Sequence, residues 1–373
     1  MYLASLCLIN FRNYVRQEIS FNPGINIISG GNAQGKTSLL EAIYCLATSR
    51  SFRTLREGEM VRLGCDYFYL QGAFVLREGR FLAEVGYRQP RQLQIKLNGK
   101  LHARSVYLQK HPVVIFSPDD LSLIKEGPSV RRRFLDLEAS RLRPLYYSRL
   151  RDYYRALRQR NQILKEHRGG PLPHHSLIEP WEQAMAKAGS WIVRERLQLL
   201  EDLERLAQGH FARLTGGAEE FSLVYHSSID LGGGRDLDLM ESSFKEQLSQ
   251  GRAAELRKGA TLVGPHLDDF FFLINGLDVR RFGSQGQQRS AVLALKMGEA
   301  DLFNRTGEEK AILLLDDVFS EFDETRRRHL FQFLSEREDQ AFITTAVPLP
   351  DFKSYRTEGA AFYTVQGGKI KIG

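Results

Sequence analysis

The chain has 373 residues, 42% hydrophobic and 26% charged, enough to bury one large core or two modest ones. A formal net charge of +7 permits a polyanionic partner without requiring one. Three cysteines with no C-x-x-C spacing argue against a disulfide framework, and no apolar run approaches the roughly 18 residues of a membrane-crossing helix. The opening residues carry no basic n-region. A cytoplasmic protein with no membrane partner is expected, with Cys7, Cys45 and Cys65 packed in apolar surroundings.

In chain order, residues 1–122 mix short strands with one helix. SLCLINFRNY and INIIS read as strands, and a helix is expected from Lys36 to Ala47. Between them lies GGNAQGKT, residues 30–37, which fits G-x-x-x-x-G-K-[ST]. Gly30 and Gly35 permit the tight path that turns successive N–H groups toward phosphate oxygens, with Gly31, Asn32, Ala33 and Gln34 between them. Lys36 suits the β- and γ-phosphates, Thr37 offers a hydroxyl ligand to Mg²⁺, and Ser38, in the first helical turn, is counted with them among the ATP-binding residues. A strand enters the loop and a helix leaves it, so ATP with Mg²⁺ is the expected cofactor pair. Further strands follow, with Asn98-Gly99 as a hairpin turn.

Residues 123–255 read as a helical arm. Leu150, Leu157 and Leu164 recur every seven residues, RGGPLPHH breaks the helix, and a second periodic run follows from Trp181 to His210. The pattern predicts an antiparallel helical hairpin.

Residues 256–373 return to mixed structure. DDFFFLINGLDVRRF predicts a hairpin turning at Asn275-Gly276, and AILLLDD and QAFITTA predict buried strands flanking a helix. A central strand delivers Asp316 and Asp317 to the sheet edge where the phosphate loop lies. Asp316 then suits Mg²⁺, and Asp317 suits orienting or deprotonating the water that attacks the γ-phosphate; with Lys36 these form the expected catalytic set. GSQGQQRS, residues 283–290, reads either as a second anion site or as a helix capped by Ser284. The order β-α-β implies a parallel sheet, hence an α/β class with the helical arm inserted.

Four stretches carry a more specific resemblance: GGNAQGKTSLLEAIYCLATSRSFRT, FSPDDLSLIKEGPSVRRRFLD, GPHLDDFFFLINGLDVRRFGSQGQQRSAVLALK and LLLDDVFSEFD. On these the chain resembles the RecF family of bacterial recombination and repair ATPases, of the ABC/SMC-like class. The resemblance implies an ABC-type, SMC-like head with a mixed sheet. Ser284, Gln285, Gly286 and Gln287 would form the signature turn that meets the γ-phosphate held by a second subunit. Asp323 would be the interface carboxylate after the ILLLDD strand, and Arg12, Asn13 and Tyr14 would pack near the adenine end. The family binds DNA, dimerises on ATP, hydrolyses it slowly, and works with RecR and RecO to direct RecA to single-stranded gaps coated by SSB.

Two departures from the wider class are visible. Ser117 stands where a glutamine loop is expected, with Asp119 and Asp120 beside it, and Thr345 stands near the place of the switch histidine. Both absences oppose a rival reading as a transporter's nucleotide-binding subunit. A second rival is a structural dimer held by ATP with incidental hydrolysis. For DNA, the arm offers Arg131, Arg151, Arg155 and Arg158 among interleaved tyrosines. The same residues also fit an arginine–carboxylate network with the tyrosines in the hairpin seam. Arg50, Arg53 and Arg56 form a second basic patch, suited to DNA or to sensing the nucleotide.

Overall fold

The computed structural model describes residues 1–77, 79–90, 92–107, 112–171, 173–231, 234–306, 309–317, 319, 322–346 and 359–372. The chain divides into two compact units. The first comprises Met1–Leu121, Gly209–Ala218 and Arg289–Gly373; the second comprises Ser122–Gln208 and Glu219–Gln288.

From the N-terminus, the strands are β1 (Tyr2–Phe11), β2 (Tyr14–Ser20) and β3 (Ile25–Ser29), followed by helix α1 (Lys36–Thr48). Then come β4 (Tyr67–Leu76), β5 (Gly79–Arg88), β6 (Gln92–Leu97), β7 (Lys100–Leu101) and β8 (Val113–Phe116). Helices α2 (Pro128–Leu142), α3 (Tyr146–Glu166) and α4 (His175–Thr215) precede β9 (Phe221–His226) and α5 (Leu237–Lys258). Strands β10 (Asp269–Ile274) and β11 (Leu277–Asp278) lead to α6 (Gln285–Thr306) and β12 (Ile312–Asp316). Helix α7 (Glu324–Ser335), β13 (Ala341–Thr345), β14 (Ala361–Gln366) and β15 (Lys369–Ile372) complete the order.

The first unit holds two sheets. An antiparallel sheet runs β2-β1-β4-β5-β6-β7, and a mostly parallel one runs β15-β14-β3-β13-β12-β8. Helix α1 touches strands of both. It is therefore buried on nearly every side, Thr37 excepted, rather than amphipathic as a surface helix is. Gly72 on β4 makes this approach possible, because a Cβ there would stand 2.9 Å from side-chain carbons of Leu3 and Leu46. Both expected Asn-Gly turns form, with positive φ at Asn98, Gly99, Asn275 and Gly276, as a type I′ hairpin demands.

In the second unit α3 and α4 pack antiparallel. Leu164 clusters with Ile178, Arg160 bonds Glu182, and Tyr146 contacts Trp191, so rising numbers on one helix meet falling numbers on the other. Tyr146 and Tyr153 are fully buried in this seam. Arg160, also fully buried, donates to Glu182 at 3.0 Å, Glu255 at 2.6 Å and Thr261 at 2.8 Å.

The first unit boundary falls at 121/122, one residue from the expected 122/123, whereas the expected boundary at 255/256 lies inside the second unit. Residues 256–288 belong with the arm because β10 pairs antiparallel with β9 along six residues. Residues 209–218 belong with the first unit, where the His210 imidazole meets Asp301 at 2.7 Å and Phe333 edge-on. Of the cysteines only Cys45 is buried; Cys7 and Cys65 are partly exposed, Cys7 because it sits on the face of the antiparallel sheet turned away from α1. Among the described residues no helix is long and apolar enough to cross a membrane.

Replacing Gly72 with Val should force Leu3 and Leu46 apart and destabilise the chain by about 1–3 kcal/mol, read as a lower midpoint in urea unfolding. Arg160→Met should cost about 3–5 kcal/mol, because it strips a counter-charge from two buried carboxylates.

Candidate functional site

Strands β3, β13 and β12 lie side by side and parallel, with Ser29 beside Thr345 and Thr344 beside Asp316 at their carboxyl ends. The phosphate loop leaves β3 at this edge. Gly30 is there because a Cβ would meet the Val365 carbonyl oxygen at 2.4 Å, and Gly35 adopts φ 119° with Asn13 and Tyr14 pressed against it. Asn13 Nδ2 donates to the Gln34 carbonyl at 2.9 Å and the Tyr14 hydroxyl to the Gly35 carbonyl at 2.9 Å. From the other side, the turn after β14 donates Gly367 N–H to Gln34 Oε1 at 2.6 Å and Gly368 N–H to its carbonyl at 3.1 Å. Gly31, Asn32 and Ala33 remain exposed at the mouth, while Ser38 is buried behind it. Lys36 Nζ donates to the Gly30 and Gly31 carbonyls at 2.7 and 2.9 Å, holding a buried ammonium inside the loop.

Thr37 Oγ1 donates to Asp316 Oδ1 at 2.9 Å, and Thr344 Oγ1 donates to the same oxygen at 2.9 Å. The Thr344 hydroxyl in turn accepts the Asp317 N–H at 2.9 Å. Asp317 has a left-handed φ of 50°, a conformation aspartate tolerates better than most residues. Burial raises the Asp316 carboxyl above its ordinary range, opposed by the hydrogen bonds from Thr344 and Thr37, while Asp317 adds to the rise and Arg53 opposes it. A hydroxyl and a carboxylate crowded by a second carboxylate form an all-oxygen set that fits a hard divalent cation such as Mg²⁺.

Arg12, at φ 51° in the turn between β1 and β2, grips the fully buried Glu41 of α1 through Nε at 2.8 Å and an Nη at 2.6 Å. Ser51 and Arg53 converge on the same carboxylate at 2.5 and 3.4 Å. Arg12 and Asn13 therefore brace the loop and its helix. Of the second basic patch, Arg53 is joined to this network and its charge acts on Asp316, whereas Arg56 sits beside exposed Glu59.

The residues at the two departures turn elsewhere. Asp120 accepts the Ser117 N–H at 2.7 Å, and burial, opposed by Lys296, pushes its carboxyl up to about 6. Asp119 N–H donates to the Ser117 hydroxyl at 3.1 Å, so neither aspartate hydrogen-bonds Thr37 or Asp316 among the described residues. Thr345 is buried at the end of β13.

The turn at residues 283–290 forms a capping box. Ser284 N–H donates to Gln287 Oε1 at 2.7 Å and Gln287 N–H to Ser284 Oγ at 3.2 Å, at the start of α6 with Gln285 and Gly286 in its first turn. Asp323 caps α7 by accepting the Arg326 N–H at 3.0 Å, and its carboxylate also pairs with the Arg326 guanidinium. Ser320 and Glu321 of the SEFD segment, and residues 347–350 after the threonines, lie outside the described residues.

The arm arginines divide cleanly. Arg131 is 2% exposed and bidentate to Asp269 at 2.6 and 2.8 Å, so its guanidinium belongs to the fold, which corrects its assignment to DNA. Arg141 and Arg160 are likewise buried in ion pairs. Arg151, Arg155 and Arg158 stand exposed on one stripe of α3. Sequence reasoning missed Thr344 and Glu41. The paired threonines stood out only for lacking a histidine, and nothing local marks a helix glutamate as the hub of an arginine pair.

A family model described as an AAA domain matches residues 5–72. The chain is 37% identical over 378 residues to the DNA replication and repair protein RecF of Bacillus subtilis, covering 99% of this chain and 100% of the relative. It is 39% identical to the protein of that name in Natranaerobius thermophilus, covering 100% and 98%. Among solved structures, the recombination mediator protein RecF-ATP in the RecFOR pathway superposes with a TM-score of 0.91 at 34% identity, covering 100% of this chain and 97% of that one. An Smc head bound to the C-winged helix domain of ScpA shares the fold, with a TM-score of 0.56 at 13% identity over 100% of this chain and 97% of that one.

Thr344→Val keeps the shape of β13 but removes the hydroxyl contacts to Asp316, the Asp317 N–H and the Leu315 carbonyl. ATP turnover should fall about tenfold or more with nucleotide affinity nearly unchanged. Losing a hydrogen bond that lowers the Asp316 pKa should also move the acid limb of the pH–rate profile to higher pH. Gly35→Ala should abolish binding of a fluorescent ATP analogue, because its Cβ would stand 2.6 Å from Asn13 Nδ2 at a φ that alanine rarely adopts.

Proposed function

This chain belongs to the RecF family of DNA replication and repair proteins, and on that premise we propose that it is an ATP-dependent DNA-binding protein of recombinational repair. Nucleotide drives two copies together on gapped DNA or a single–double-strand junction, and slow hydrolysis releases them. RecR and RecO are the partners with which it helps to load RecA onto single strands coated by SSB. The cytoplasm is its place of action.

The observation that carries the reading is the meeting of Thr37, Asp316 and Thr344 at the carboxyl edge of the parallel sheet, directly beside the loop that holds Lys36. Phosphoryl transfer asks chiefly for positioning and charge, and this edge supplies both. The ATP phosphates lie on the N–H groups of residues 30–37, and Lys36 exchanges its two carbonyl contacts for β- and γ-phosphate oxygens. Thr37 and Asp316 hold Mg²⁺, which when bound neutralises charge on those oxygens. Asp317, beside Asp316 with its N–H fixed by Thr344, orients a water for in-line attack and takes its proton as the bond to ADP breaks.

Ser284, Gln285, Gly286 and Gln287 of the second copy complete the site. The capping box orders the first turn of the long helix α6, whose N-terminal amides then face the γ-phosphate. Asp323 lies at the same interface, its side chain about half exposed at the start of α7. Sites shared between two copies, each without a glutamine loop and a switch histidine, suit a slow timer better than a pump. DNA lies along α3, where Arg151, Arg155 and Arg158 present cations at helical spacing.

Sizing with ATP, with ADP and without nucleotide should show a dimer only with ATP. A nucleotide-independent monomer would remove the role given to Ser284. Asp317→Asn should yield a dimer that stays on gapped duplex, whereas incidental hydrolysis predicts no change. Reversing Arg151, Arg155 and Arg158 together to Glu should weaken duplex binding and reduce the salt slope by roughly 2–3 while sparing ATP binding. Equal affinity at matched salt would remove DNA from α3.

A further inference from the structure

The antiparallel sheet of the first unit buries one face and, among the described residues, leaves the other uncovered. Register defines that outer face. Cys7 and Ile9 of β1 stand opposite Gln71 and Tyr69 of β4, which stand opposite Glu84 and Gly86 of β5, and these face Lys96 and Gln94 of β6. One row further, Tyr67, Arg88 and Gln92 line up across the same three strands. Two tyrosines two residues apart on a strand therefore project from one side, both partly exposed.

Gly86 leaves a gap in the middle of this face. Its nearest outward neighbour is the Tyr69 ring, 3.7 Å from where a Cβ would be, so the backbone itself forms the floor of a slot. The slot is part of a concavity of about 380 Å³ whose walls include Ile9, Tyr67, Tyr69, Arg88 and Gln94. The Arg88 guanidinium lies over the Tyr67 ring, 5.5 Å from its centre. Gln71 donates to the Tyr69 hydroxyl at 3.0 Å, which holds that ring upright.

The charges on the face select the ligand. Arg16, Arg80, Arg88 and Lys96 lie on it, against the two carboxylates Glu18 and Glu84. Glu18 is taken by Arg16 at 2.7 Å, and Glu84 stands directly opposite Lys96 on the neighbouring strand. Arg80, Arg88 and Lys96 have no carboxylate within 4.0 Å among the described residues. Rings that offer a flat apolar surface, amides beside them and cations in excess of carboxylates around them are what unpaired nucleotides require. A duplex hides its bases and cannot use the rings.

We propose that this sheet face binds single-stranded nucleic acid, with bases stacked on Tyr67 and Tyr69 above Gly86 and the backbone held by Arg88 and Lys96. The site rests on the reading of the chain as a DNA-binding protein but shares no residue with the arginine stripe of α3. It would let one molecule hold the unpaired strand and the duplex of a gap through separate surfaces.

The test uses the full chain and fluorescence anisotropy with labelled oligothymidylate of about 15 nucleotides, within the span such sites occupy. Tyr67→Leu/Tyr69→Leu should weaken binding about tenfold or more, with ATP turnover and duplex affinity unchanged. Tyr67→Phe/Tyr69→Phe should restore binding, since it keeps the rings. On the wild-type chain an abasic oligomer of equal length should bind as poorly as oligothymidylate binds the leucine variant. The proposal is overturned if the leucine variant binds normally, if the phenylalanine variant fails with it, or if the abasic oligomer binds as tightly as oligothymidylate. It also falls if the wild-type chain does not bind oligothymidylate. Loss of duplex binding in the α3 arginine variant with oligothymidylate binding intact leaves it standing, so the two readings fail separately.

Discussion

One carboxylate oxygen organises the nucleotide edge of this molecule. Asp316 Oδ1 accepts hydrogen bonds from Thr37, at the start of α1, and from Thr344, on the neighbouring strand β13. Those bonds tie the phosphate loop, the strand beside it in the sheet and the strand that ends in Asp316 and Asp317. A buried carboxylate is costly unless it is satisfied, so the two hydroxyls stabilise its charge where cation and phosphate are expected to arrive. The Thr344 hydroxyl passes the constraint on by accepting the Asp317 N–H, which fixes the backbone of the residue assigned to water.

The same economy of charge shapes the loop's surroundings. Glu41 is wholly buried on α1 and takes two of the three guanidinium nitrogens of Arg12, so the turn between β1 and β2 is clamped to the helix that the loop begins. Asn13 and Tyr14, from that same turn, hold the carbonyls of Gln34 and Gly35. Residues far apart in sequence are thus committed to one short loop. Its glycines follow from this crowding as much as from the phosphates, since side chains at Gly30 or Gly35 would collide with Val365 or Asn13.

In the arm, burial separated two kinds of arginine that look alike in the sequence. Arg131, Arg141 and Arg160 neutralise carboxylates inside the second unit, while Arg151, Arg155 and Arg158 face solvent. The tyrosines between them went to the seam, Tyr146 and Tyr153 completely. Heptad spacing foretold the hairpin and its antiparallel pairing. It did not foretell that β10 would join the arm, because the pairing of β10 with β9 spans a helix and a long stretch of chain.

Much of the site was legible because its chemistry is local. Eight consecutive residues specify the phosphate loop, four apolar residues before two aspartates specify a buried strand with carboxylates at its end, and each Asn-Gly pair specifies a tight turn. These are properties of neighbours along the chain, and the backbone can obey them without knowing the rest of the fold. Tertiary structure alone decided which threonine meets Asp316, which glutamate Arg12 holds, which arginines remain exposed and which face of the antiparallel sheet lies open around Gly86. Each of those depends on strand register and burial, and both are set by side chains dozens or hundreds of residues away.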